Sequence, residues 1–269
     1  MPNTTLTKYT LNFVERGQGT PIVFIHGMAS SLRDWEHLTS LFNSQNYHTF
    51  ALDLIGHGDS PKPDEQEAYH IEAIFSQFST WLKNRKLEPS PVLVGHSLGG
   101  CLCLKYAYEN PDTVLALILV NPFYSPNQLS PWIHIANKNP SLSAKAIQIT
   151  PEWMIFALLG WESIEASNFP HKIRYQIAQD YKRASPHIIS IPNTIDDLTP
   201  LLPNIHTPTL VIWGENDLSL NTSSFPKMVK LLPHAAGRCM SDCGHQPHRA
   251  KPKEFTRHVL EFLEDLRNT

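Results

Sequence analysis

The sequence predicts one α/β enzyme domain built on a mostly parallel sheet, on three observations. Short, continuous apolar runs alternate with stretches of helical periodicity, the mark of strands covered on both faces. Most of these runs end at a polar or glycine-containing turn. The chain has 269 residues, normal for one such domain and enough to bury a large core without a disulfide or metal staple.

The elements follow in order. Residues 8–14 predict an edge strand. Residues 21–25 read P-I-V-F-I, a buried strand ending at His26-Gly27, and 32–42 carry apolar residues at helical spacing. Residues 47–54 are a second buried strand, running into the loop D-L-I-G-H-G-D-S. Residues 73–87 are helical, with Ile74, Phe78, Trp81 and Leu82 along one side. A strand at 91–94 stops at G-H-S-L-G-G, and a helix over 99–108 closes at Asn110-Pro111. The strand at 115–120 ends in Asn121-Pro122.

There the rhythm breaks. From 123 to 203 prolines are frequent, large apolar residues such as Trp132, Trp153, Met154, Phe156, Trp161 and Phe169 recur, and no strand is convincing. A structureless loop of that length is improbable in a compact domain, so the segment is expected to be an inserted helical cap, with helices near 151–159 and 172–182. The expected division is a core of 1–122 and 204–269 and a cap of 123–203. The rhythm resumes with P-T-L-V-I-W at 208–213, the turn G-E-N-D, a helix at 223–232, a weak strand at 237–240 and an amphipathic helix at 253–266.

Composition narrows the class. Residues are 41% hydrophobic and 17% charged with a net charge of -3, which argues against a disordered or nucleic-acid-binding chain. The first ten residues are polar and threonine-rich, unlike a signal peptide, and the longest apolar stretch, 114–120, is too short to span a membrane. A soluble, cytoplasmic protein is expected, acting on a small molecule, with no nucleic-acid partner and no membrane span; nothing in the sequence sets an oligomeric state. Cys239 and Cys243 lie near His245 and His248, but the spacing fits no common zinc pattern.

The strongest chemical signal is Gly95-His96-Ser97-Leu98-Gly99, placed between a strand and a helix. A nucleophile on a sharp strand-to-helix turn needs small neighbours two before and two after it. It also faces the free N–H groups and positive dipole end of the helix. A serine hydroxyl needs a base. Of the 14 histidines, His245 in D-C-G-H-Q-P follows the last strand and precedes the last helix. His248 is its nearest rival, while His26, His57 and His96 belong to turns and are expected to bond the backbone. Asp217, directly after the strand at 208–213, is the carboxylate expected to orient the base, ahead of Glu215 and Asp242. The oxyanion donors are expected to be the backbone N–H groups of Leu98 and Met28. The aromatic side chains of Trp132, Trp153, Phe156 and Trp161 are candidates for lining an apolar pocket. The chemistry requires neither metal nor organic cofactor.

Together, His26-Gly27, the D-L-I-G-H-G-D-S loop from Asp53, G-H-S-L-G-G, W-G-E-N-D and Gly244-His245 resemble the α/β-hydrolase superfamily over nearly the whole chain. The resemblance implies the α/β-hydrolase fold, an eight-stranded, mostly parallel sheet with a cap inserted after the sixth strand. It also implies that the D-L-I-G-H-G-D-S loop supports the oxyanion turn. Haloalkane dehalogenases and epoxide hydrolases of this fold carry an aspartate nucleophile, where this chain has Ser97. Proline iminopeptidases carry Gly-Gly-Pro-Gly after the first histidine, where this chain has Gly27-Met28-Ala29-Ser30. What the resemblance implies is a carboxylesterase-like enzyme working through an acyl-enzyme on Ser97. Thioesterase, lactonase, amidase or C–C bond hydrolase activity on the same triad is the alternative, and a slow-turnover ligand-binding protein a further one.

Overall fold

The computed structural model describes residues 9–156 and 171–268. Among the described residues seven strands form one sheet: β1 (Phe13–Arg16), β2 (Thr20–Ile25), β3 (Tyr47–Leu52), β4 (Val92–His96), β5 (Ala116–Val120), β6 (Thr209–Gly214) and β7 (Ala235–Met240). Their spatial order is β1-β3-β2-β4-β5-β6-β7, and only β1 runs antiparallel, against β3. The described residues supply seven strands, against the eight expected for the whole chain. Phe13–Arg16 is the sheet edge among the described residues, and counted from it the helical insertion follows the fifth strand.

Side-chain alternation divides the strands between two cores. Val23, Ile25, Leu93, Leu117, Leu119 and Val211 face α2 (Ile71–Arg85), α3 (Leu98–Glu109) and α8 (Ser224–Leu231). Ile22, Phe24, Val92, Val94, Ile118 and Ile212 face α1 (Glu36–Asn43) and α10 (Pro252–Arg267). Both faces being covered is why these strands read as unbroken apolar runs.

Between β5 and β6 the described residues form α4 (Pro131–Asn137), α5 (Pro140–Ile149), a helical turn α6 (152–156), α7 (His171–Arg183) and 3-10 stretches at Pro186–Thr194 and Thr199–Asn204. Their β contribution is one isolated bridge, Leu129 to Leu220. Polar ties hold this segment down. Ser185 N–H donates to the Gly56 carbonyl at 2.8 Å, Arg183 pairs with Asp59, and buried Asp180 accepts from Arg33 and from Ser31 Oγ. Among the described residues no helix is long and apolar enough to cross a membrane.

Parallel β2, β4, β5, β6 and β7 deliver their following turns to one edge of the sheet. That edge therefore receives His26-Gly27-Met28, Ser97, Asn121, Asp217 and, through α9 (Pro247–Ala250), the segment around His245.

Candidate active site

Ser97 stands between β4 and α3 with φ 49° and ψ −110°, the left-handed side of backbone space where a side chain is strained. Both flanks hold it there. Ser97 N–H donates to the Val120 carbonyl at 3.0 Å, and the Ser97 carbonyl accepts from Phe123 N–H at 3.0 Å and Gly100 N–H at 2.9 Å. Gly99 is required by contact: a Cβ there would lie 2.2 Å from the Ile25 carbonyl oxygen, so only glycine lets α3 start against β2.

Asp217 and His245 meet as the sequence suggests. His245 Nδ1–H donates to Asp217 Oδ2 at 2.8 Å, leaving Nε2 as the basic nitrogen. The Asp217 carboxylate is enclosed and saturated with donors. Oδ1 accepts from Ser219 N–H at 2.8 Å and Leu220 N–H at 3.1 Å, and Oδ2 also accepts from Asn121 Nδ2 at 2.7 Å. Burial pushes this carboxyl up, but the facing His245, the Asn121 amide and the Leu220 N–H outweigh it and hold the group below its ordinary value. It stays ionised beside the imidazole. The loop bearing His245 reaches Asp217 because Gly214 has no side chain: a Cβ there would sit 2.0 Å from the Gly244 carbonyl oxygen.

Leu98 opens α3, and no acceptor among the described residues takes its N–H or that of Met28. The turn between them is buttressed from below. Asp53 Oδ1 accepts from Leu32 N–H at 2.7 Å, and its Oδ2 accepts from Asp59 N–H at 2.8 Å. The D-L-I-G-H-G-D-S loop thus wraps a carboxylate that pins the segment following Met28. The turn histidines bond backbone, as expected. His26 Nδ1 pairs with the Gly27 carbonyl at 2.7 Å, His57 Nδ1 with the Ile55 carbonyl at 2.8 Å, and His96 Nε2 with the His245 carbonyl at 2.8 Å. His248 is buried behind His245 against Asp34, not offered to solvent as a rival base.

The pocket candidates fare differently. Trp161 and the Trp132 side chain lie outside the described residues. Trp153 is 68% exposed: α6 buries Ile155, and a residue two positions away points off the other side of a helix. Phe156 is half-buried beneath the Arg174 guanidinium, 4.3 Å from its ring centroid. The four cysteines are free, and Cys239 is exposed while Cys243 is buried; the described His, Cys and acidic side chains that do converge are Asp34, His96 and His248. Sequence reasoning missed Asn121, Asp34 and Arg249. For Asn121 a signal existed, its place directly after a buried strand at the edge where such sheets carry their sites.

Known proteins share this fold. The model of the α/β hydrolase fold family matches residues 20–145. The bifunctional epoxide hydrolase 2 of Sus scrofa is 24% identical over 96% of this chain, which spans 54% of that relative's length. Lipase 1 of Psychrobacter immobilis is 24% identical over 87% of this chain and 74% of its own. A thermophilic esterase from Thermogutta terrifontis superposes with a TM-score of 0.81 at 23% identity, covering 96% of this chain and 94% of its own.

Proposed function

We propose that this chain, which is similar to α/β hydrolases that include lipases and esterases, cleaves a carboxylic ester of a small apolar substrate through an acyl-enzyme on Ser97. The observation that carries the reading is the His245–Asp217 hydrogen bond of 2.8 Å, formed at the sheet edge where Ser97 stands on its strained turn. Ser97 attacks the ester carbonyl while His245 takes its proton. Asp217, held ionised, fixes the imidazole tautomer and stabilises the imidazolium. Leu98 and Met28 N–H groups stabilise the oxyanion, each worth about 3 kcal/mol in the transition state. The alcohol leaves with the proton from His245, and water then attacks the acyl-enzyme through the same base. A serine in the elbow supports acyl transfer over the alkyl transfer of an aspartate nucleophile. Phe156 is retained as a wall of the acyl pocket. Four free thiols fit a reducing, cytoplasmic setting.

The test is Ser97→Ala. It should lower kcat/KM for p-nitrophenyl butyrate by about 10⁴-fold or more, and a fluorophosphonate probe should label the native chain at Ser97 alone. Labelling at another residue, or a Ser97→Ala variant that keeps its turnover, would overturn the reading. Ranking esters against thioesters and lactones by kcat/KM identifies the preferred acyl donor.

A further inference from the structure

Three loops of the site meet at one buried carboxylate that the mechanism above does not use. Asp34 lies in the 3-10 turn Leu32–Trp35, downstream of Met28, and its side chain is fully enclosed. Its Oδ1 accepts from Arg249 Nη1, also enclosed, in α9 just beyond His245. Its Oδ2 stands 3.7 Å from His96 Nδ1 and 3.7 Å from His248 Nε2. His96 immediately precedes Ser97 and donates Nε2–H to the His245 carbonyl. A carbonyl can only accept, so neutral His96 turns a bare Nδ1 toward Asp34. His248 stacks on Trp35 with ring centroids 4.5 Å apart, and its carbonyl meets His37 Nε2 at 3.2 Å.

Burial keeps the imidazoles neutral: His248 is pushed down to about 4, and His96 well below its ordinary value. Asp34 itself is pushed up by burial, but Arg249 and His248 bring it well below the usual carboxylate value. The charges enclosed here are therefore one carboxylate and one guanidinium, already matched. A divalent ion at the same point would face the enclosed guanidinium, so the arrangement suits a tether better than a metal.

We propose that Asp34 is a positioning residue, tying the oxyanion turn to the His245 loop through its hydrogen-bonded ion pair with Arg249. It touches no substrate. It sets the spacing between the oxyanion donors and the base, and this role rests on the serine-hydrolase reading above. A misplacement of about 1 Å in such a constellation costs about 10²-fold in rate.

Asp34→Asn alone strands the Arg249 charge out of water and so also lowers stability. The double variant Asp34→Asn with Arg249→Gln removes both charges at similar volume, and should recover most of the lost Tm without recovering activity. Its kcat per fluorophosphonate-titrated site for p-nitrophenyl butyrate should fall about 10²-fold, with KM within about threefold. Arg249→Lys, which retains the ion pair, should keep kcat within about tenfold. A double variant with wild-type kcat per titrated site would overturn the proposal. So would about one equivalent of divalent metal per native chain that is lost in Asp34→Asn, since the cluster would then be a metal site. Failure of the underlying reading looks different: the native chain would take no probe at Ser97, and Ser97→Ala would still turn over.

Discussion

The sheet edge and the helical insertion are held by different forces. Every residue of β4 and β5 is buried, and the turns that follow them are fixed by backbone hydrogen bonds that leave no slack. In the insertion, Ile135, Leu142 and Ile149 are 68%, 67% and 81% exposed, and the segment is tied to the core by pairs such as Asp180 with Arg33 and Arg183 with Asp59. Apolar burial and close backbone contact set the first region; polar ties at a few points set much of the second. Positions at the sheet edge should therefore tolerate almost nothing, and positions on the outer insertion a great deal.

The sharpest way to break that contrast is Gly99→Ala. The new methyl would meet the Ile25 carbonyl oxygen at 2.2 Å, a strand backbone atom that cannot move aside. A loss of more than about 4 kcal/mol in urea unfolding is expected, with activity lost as the elbow shifts. A variant that keeps native stability would show the edge to be softer than its contacts imply.

Acid should find the same region next. His57 and His248 are enclosed, and burial holds them neutral down to about 3 and about 4. The unfolded chain protonates each near its ordinary value of 6.5. Between these limits the unfolded state binds more protons than the native one, so stability falls as pH drops below about 6.5. Each group contributes up to about 1.4 kcal/mol per pH unit, so the two remove up to about 3 kcal/mol between pH 6 and 5. Urea unfolding at those two pH values checks it; equal midpoints would mean that both imidazoles already carry a proton in the native chain, and half the expected shift that one does. Asp180→Ala should cost less, about 1–3 kcal/mol, because its Arg33 partner is partly exposed and can turn to water. Its signature is faster proteolysis within the insertion, and a loss spread evenly over the whole chain would deny that the insertion depends on its polar ties.

The same contrast explains what could be read from the sequence. β2, β4, β5 and β6 were legible because burial on both faces writes them as continuous apolar runs between turns. β7 was read only from 237, because its exposed and half-buried residues carry little apolar signal. α4 and α5 went unread, although each begins with a proline at its first turn, Pro131 and Pro140, which is a start signal in its own right. Ser97, Asp217 and His245 could be picked out because each sits in a turn whose local pattern follows a strand. Asn121, although it follows a strand directly, carries no local sign of what it bonds, and Asp34 follows no strand directly. Their partners Asp217 and Arg249 are 96 and 215 residues away, and only the packed sheet brings such pairs together.

The smallest expected effect tests the other half of the comparison. Trp153 and Ile155 share α6, yet one is exposed and the other 6% exposed. Ile155→Ala removes enclosed methylene groups and should cost about 2 kcal/mol or more. Trp153→Ala removes a larger side chain from water rather than from protein, so unfolding should shift by less than about 0.5 kcal/mol. Its KM for p-nitrophenyl butyrate should stay within about twofold, because a side chain turned to solvent gives up no contact with a substrate held at the sheet edge. A tenfold rise in KM at unchanged stability would place the outer face of the insertion on the substrate's path, and would make the insertion a working surface rather than a tolerant one.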